Sequence, residues 1–157
     1  MIPQSFVKLC IFLDFLQTIL PLLLPLSMLQ KLFFSVEYFV HVETKNYANA
    51  RRWCIRWGGK LFEPKSSQAN TEVFKLVKAQ GSDVLEYWIG INDISNEGNF
   101  VYASDSQSIG WTNWYAGEPN DSSDANDSDG EDCVHTIWAD KWNDGSCNHK
   151  LSFVCEK

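Results

Sequence analysis

Hydrophobic and polar positions divide the chain into two unequal parts. Residues 1–34 are dominated by Leu, Ile and Phe and carry charge only at Lys8, Asp14 and Lys31. Their longest uncharged run, residues 15–30, contains Pro21 and Pro25 and falls short of the roughly 20 residues that a membrane-spanning helix needs. The pattern fits a secretory leader, with Lys8 as a thin basic region, residues 19–26 as the apolar stretch, and Ser27 with Pro25 as the best cleavage position. An uncleaved anchor and an incorrectly joined first segment are the alternatives.

From residue 35 the pattern becomes that of a mixed domain spanning 35–157. Residues 36–42 alternate, placing Val36, Tyr38, Val40 and Val42 on one face and His41 on the other, outward-looking one. The period then lengthens. Asn46 is placed to cap a helix that runs to Trp57, puts Tyr47, Ala50 and Cys54 on one side, and stops at Gly58 and Gly59. A second helix starts at Ser67 or Asn70, carries Val73, Phe74 and Val77 as its apolar stripe, and ends by Gly81. Beyond it, residues 87–91, 99–102, 133–138 and 151–155 are short apolar runs of strand length. Residues 103–132 show no periodicity, and an irregular stretch of that length in a compact domain usually carries function.

Charge sharpens this picture. The 157 residues hold 13 Lys and Arg against 20 Asp and Glu, a net charge of -7. Seven of the carboxylates lie in residues 118–132, which contain no Lys or Arg, so this one stretch accounts for the whole excess. An acidic chain is a poor partner for nucleic acid or anionic lipid, whereas a local anionic cluster points to a cation. A hydrophobic content of 45% with seven Trp is enough for a real core.

Five cysteines are present, and loss of Cys10 with the leader leaves Cys54, Cys133, Cys147 and Cys155. An even number behind an export-like leader suggests two disulfides, for which three connectivities are open. A bridge from Cys133 to Cys147 would close a short loop around Asn143 and Asp144. Two Cys-x-His pairs, Cys133 with His135 and Cys147 with His149, offer zinc as a competing reading that export disfavours.

Three oxygen-rich clusters carry the chemistry: Glu118-Pro119-Asn120, Glu131-Asp132 and Asn143-Asp144, none containing a basic residue. Calcium takes six to eight oxygens at roughly 2.3 to 2.6 Å and accepts such a mixture of carboxylates and amides. Magnesium prefers fewer protein ligands, and zinc prefers nitrogen and sulfur. A cis bond at Glu118-Pro119 would turn the side chains on both sides of the proline toward one point, although an isolated X-Pro bond is more often trans. An EF-hand fails, because setting Gly130 at its sixth position puts Ala125 first and Thr136 twelfth. No nucleophile elbow, phosphate loop or zinc-hydrolase helix is present, and carboxylates mixed with Asn side chains suit a metal better than a glycosidase acid and base.

The ordered set Ala50, Cys54, Trp88-Ile89-Gly90-Ile91, Glu97-Gly98, Asn113-Trp114, Glu118-Pro119-Asn120, Glu131-Asp132-Cys133, Trp142-Asn143-Asp144, Cys147 and Phe153-Val154-Cys155-Glu156 resembles the C-type lectin-like domain over residues 36–157. The resemblance implies a double-looped α+β fold with two helices, two small antiparallel sheets, and disulfides Cys54–Cys155 and Cys133–Cys147. It implies no enzyme activity. It also implies that Glu118, Asn120, Glu131, Asn143 and Asp144 hold a calcium that binds sugar directly, and that Asp93, Glu97, Asp121 and Asp132 hold an auxiliary calcium.

In that family a Glu-Pro-Asn triplet goes with mannose, N-acetylglucosamine, glucose or fucose, and Gln-Pro-Asp with galactose, because exchanging acid and amide reverses hydrogen-bond donors and acceptors. The expected partners are therefore glycans or glycoproteins of the mannose type, met by a secreted or, alternatively, membrane-anchored domain. Family members that bind proteins, lipids or ice without calcium commonly lack the metal ligands, all five of which are filled here. Ten residues separate Asn120 from Glu131, so Asp124, Asp127 and Asp129 compete with Asp121 for the auxiliary role. Sequons fall at Asn120 and Asn126, and a glycan on Asn120 would block the proposed site. Trp114 and Trp142 are expected to pack beneath it.

Overall fold

A computed structural model describes residues 36–81, 86–122 and 130–157. The expected leader over residues 1–34 with Cys10, the carboxylates Asp124, Asp127 and Asp129, and the Asn126 sequon lie outside the described residues.

Strand β1 (Tyr38–Lys45) pairs antiparallel with the last strand, β7 (Leu151–Glu156), setting Tyr38 opposite Glu156 and Val40 opposite Val154. Between them, Glu37 and Lys157 exchange both backbone hydrogen bonds, so the two ends of the domain form one ladder. The register shifts between His41 and Lys45, and this irregularity overturns part of the simple alternation. Val42 is 60% exposed. His41, expected to be exposed, is instead half-buried, stacked on Phe153 at 4.5 Å between ring centroids and edge-on to Trp53.

Helix α1 (Tyr47–Trp57) follows the capping chemistry closely. The Asn46 side chain accepts from the Asn49 amide at 3.1 Å, and Gly58, at φ 91°, donates back to the Cys54 and Ile55 carbonyls. Its inner face is Tyr47, Ala50 and Cys54, and Cys54 bridges to Cys155. Strand β2 (Lys60–Leu61) adds to β7. Helix α2 (Ser67–Ala79) is capped by Ser66 and buries Asn70, Val73 and Val77. Asn70 therefore lies inside the helix, where its side chain donates to the Asp140 carbonyl and accepts from the Trp142 indole at 3.0 Å.

Strands β3 (Tyr87–Asn92), β4 (Val101–Tyr102), β5 (Cys133–Ile137) and β6 (Lys141–Gly145) complete the sheet, with a 3-10 turn at Trp138–Asp140 joining β5 to β6. The strands form two antiparallel groups, β1-β7-β2 and β4-β3-β5-β6. A parallel pairing of β3 with β7 joins them into one mixed sheet in the order β1-β7-β3-β5-β6. β6 has no apolar run to announce it. Its one large apolar residue is Trp142, buried along with the polar Asp144.

Both disulfides form as the resemblance implies, Cys54–Cys155 across 101 residues and Cys133–Cys147 across 14. In the chain-entropy picture, closing loops of these sizes contributes ~4.7 and ~3 kcal/mol. The second bridge also removes both thiolates of the competing zinc set. His135 is left as a buried imidazole edge-on to Trp88, its pKa depressed to about 4, chiefly by burial.

The sign of that shift sets a pH dependence. An unfolded histidine takes its proton near 6.5 and the folded one only near 4, so the neutral ring's stabilisation is complete above 6.5 and is lost as pH falls from 6.5 toward 4. NMR titration is expected to show the His135 ring titrating near pH 4, with a loss of about 3 kcal/mol of stability from this group across that window. A ring that titrates near 6.5 in the folded domain would contradict its burial.

Candidate metal and ligand site

The loop after β4 is guided to the site by the edge of β6. Trp142 donates its backbone N–H to the Asn113 carbonyl at 3.0 Å, and Tyr115 donates to the Trp142 carbonyl at 2.8 Å. Trp142 itself is fully buried and meets the Trp111 and Trp114 rings edge-on, so the loop is anchored to the core just ahead of Glu118. Trp114 packs against Trp142 and the core cluster.

Glu118 follows directly, with its amide donating to the Tyr115 carbonyl and its bond to Pro119 in the cis form. The Asp144 carboxylate then gathers the next two residues. It accepts from the Asn120 amide at 3.0 and 3.2 Å and from the Asp121 amide at 2.9 Å. Asn143, beside it on β6, donates its side-chain amide to the Asp144 carbonyl and lies 3.3 Å from His135 Nε2.

Glu131 is brought in by a reciprocal clasp. Its amide donates to Asp121 Oδ1 at 2.9 Å, while its own Oε2 accepts from the Ser122 amide at 3.1 Å. The two ends of the insertion thus meet, and the added chain length does not separate Asn120 from Glu131. Gly130 makes this closure possible, because it holds φ 85° and a Cβ there would collide with Asp121 Oδ1.

The gathered charges oppose one another. Burial, then the neighbouring Asp144 charge, raises the Glu118 pKa, and a hydrogen bond between those two carboxyls forms only if one holds a proton. Glu131 is raised by burial and by Asp144 and Glu118, against the backbone hydrogen bond from Ser122 and the weaker influence of His149. Among the described residues no Lys or Arg ion-pairs with Glu118, Glu131 or Asp144. Glu118 Oε2 is buried with no hydrogen-bond partner. A buried, unpartnered carboxylate oxygen among like charges is unfavourable in a bare protein and natural in a cation site.

A second acidic cluster lies at the turn after β3. Asp93, Glu97 and Asp132 each offer an oxygen within 4.8 Å of the others. Asp93 is 1% exposed, accepts from the Gly98 amide through Oδ2, and leaves Oδ1 buried without a partner. Burial, with the Glu97 and Asp132 charges, pushes its pKa up to about 6. Asp121, the fourth expected member, does not join this trio. Its carboxylate is occupied by the Glu131 amide.

Beside Glu118 and Asn143 lies an open cavity of about 320 Å³, also lined by Glu86, Tyr115, His135, Ile137 and Trp138. Neither Tyr115 nor Trp138 belongs to a motif in the sequence, and His135 stands out there only as half of a Cys-x-His pair. An exposed Trp leaves no periodic signal, because neighbours in a turn have no fixed face.

The model of the lectin C-type domain family matches residues 43–157. This chain belongs to that family. The domain is 36% identical to "Collectin-10" of Gallus gallus over 119 residues, which is 76% of this chain and 40% of the relative, so the chain spans well under half of that protein's length. Its fold matches the cow carbohydrate-recognition domain of CD23, crystallised with a GlcNAc2Man3 oligosaccharide, with a TM-score of 0.68 and 30% identity over 80% of this chain and 89% of that one. Herring type II antifreeze protein shares the fold at a TM-score of 0.66 and 24% identity, covering 80% of this chain and 92% of its own, a likeness of fold alone. Lectin C-type domains are binding modules rather than enzymes, in keeping with the missing catalytic motifs.

Gly130→Ala is expected to break the clasp, lowering stability by about 1 kcal/mol or more and opening the insertion to limited proteolysis. Denaturant melts and protease time courses of the two proteins are the check; equal curves would show that the clasp is not closed by Gly130.

Proposed function

We propose that the domain is a calcium-dependent lectin for mannose-type sugars. Glu118, Asn120, Glu131, Asn143 and Asp144 would hold the primary ion, and the buried, partnerless Glu118 Oε2, on a carboxyl that feels the Asp144 charge, is the observation that carries this reading. The donor set is all oxygen, three carboxylates and two amides, which suits calcium. When bound, the ion supplies coordination for two neighbouring hydroxyls of a pyranose. The protein's part is to read those hydroxyls: carboxylates accept their protons and the Asn amides donate to their oxygens. Glu on one side of Pro119 and Asn on the other set the donor and acceptor order of the mannose class.

Asp93, Glu97 and Asp132 would hold an auxiliary calcium, while Asp121 serves the primary set through its bond to Glu131. The relation to a carbohydrate-recognition domain crystallised with an oligosaccharide supports sugar as the ligand. Two disulfides and the apolar leader 1–34 ahead of the domain 35–157 support export, with glycans or glycoproteins outside the cell as partners.

A glycan array is expected to show mannose-type binding in calcium and its loss in EDTA. Binding that persists in EDTA would overturn the reading. Glu118→Gln should reduce the rise in melting temperature on adding calcium to the part that the auxiliary site supplies, while leaving the metal-free melt equal or higher, since one of three repelling charges is gone. The double variant Glu118→Gln, Asn120→Asp is expected to move preference toward galactose, and unchanged mannose selectivity on the array would count against the proposed role of the triplet.

A further inference from the structure

Among the described residues Trp138 is the most exposed large apolar side chain, at 67%. Leaving so much aromatic surface in water forgoes the burial that places Trp88 and Trp142 in the core. Its backbone, in contrast, is firmly held. Asp140, the last residue of the same 3-10 turn, has φ 63° and is fixed from three directions. Its carbonyl accepts from the Asn70 and Asn113 side chains at 3.1 and 2.8 Å, and its carboxylate accepts from Thr71 and Asn113. Lys141 completes the net by donating to Asn113 Oδ1 at 2.8 Å. The turn is thus tied to α2 and to the loop before Trp114, and the residue it presents to solvent is a tryptophan.

Tyr115, 44% exposed, lines the same 320 Å³ cavity and is held by its own bond to the Trp142 carbonyl. Glu118 and Asn143, two of the proposed calcium ligands, line it as well. We propose that Trp138 and Tyr115 form the aromatic wall of an extended subsite, taking the apolar face of the pyranose next to the one bound at the metal. The proposal rests on the lectin reading and adds the ligand's length and charge to it. The turn's hydrogen bonds preorganise the ring, so little ordering is lost on binding. The cavity's charged lining residues are Glu86 and Glu118, with no Lys or Arg among them, so the subsite favours neutral sugars and disfavours sulfated or sialylated ones.

The test compares methyl α-mannoside with a mannose trisaccharide, on the calcium-loaded full chain and on Trp138→Ala and Trp138→Phe. The wild type is expected to bind the trisaccharide about tenfold more tightly than the monosaccharide, a gap of the size that aromatic stacking supplies. Trp138→Ala should remove that advantage and leave monosaccharide affinity and calcium uptake unchanged, while Trp138→Phe keeps most of it. A sulfated trisaccharide should bind the wild type more weakly than the neutral one. Monosaccharide binding with no trisaccharide advantage, or an advantage that survives in Trp138→Ala, overturns the subsite and leaves the lectin reading standing. Equal loss of both ligands in Trp138→Ala also overturns it, by showing a structural role. Failure of the wild type to bind either sugar in calcium overturns both readings.

Discussion

The repulsion among Glu118, Glu131 and Asp144 is the constraint on which the rest of the site depends. Three carboxylates from three separate stretches of chain are held together with no Lys or Arg ion-paired to them among the described residues. Backbone amides of Asn120, Asp121 and Ser122 offset part of the charge, and one Glu118 oxygen receives nothing. A fold reaches such an arrangement only if covalent links and packing elsewhere overcome the unfavourable term.

Those forces are identifiable. The Cys133–Cys147 bridge encloses Asn143 and Asp144 in a 14-residue separation, beginning two residues after Glu131. Trp142 lies fully buried beneath the site, with its indole on Asn70 and its backbone clasping the loop through Asn113 and Tyr115. Cys54–Cys155 and the β1–β7 ladder close the far side of the domain. Stability generated in the core is thereby spent where the ligands meet, the usual relation between a rigid scaffold and a strained site.

Features set by local chemistry were the most legible in the sequence. Asn46 and Gly58 announced both ends of α1, since caps act over a few residues. The ordered motifs gave the fold and both disulfides, because each marks a position the topology requires. Strand β6 was read as a ligand cluster, for its residues are chosen by chemistry more than by alternation. Of the two starts that the pattern offers for α2, Ser67 is the actual one, and Asn70 competes with it because its polarity hides a buried role that exists only once Trp142 and Asp140 fold against it. His41 keeps its place in the two-residue period, opposite the face of Tyr38 and Val40, but Trp53 and Phe153 cover it there, a tertiary contact that leaves no mark in the strand's own pattern. Asp121 could not be assigned by spacing, since its carboxylate is engaged by the other end of an insertion whose closure is a tertiary fact. Trp138 depended on the turn around Asp140, which only long-range hydrogen bonds reveal.

Calcium titration calorimetry on the oxidised, metal-free domain tests the central claim most directly. The account predicts saturable uptake at the carboxylate cluster, abolished by Asp144→Asn, together with a higher melting temperature. Absence of heat and of any stabilisation on adding calcium would contradict it, because the crowded carboxylates would then have to persist without the cation that explains them.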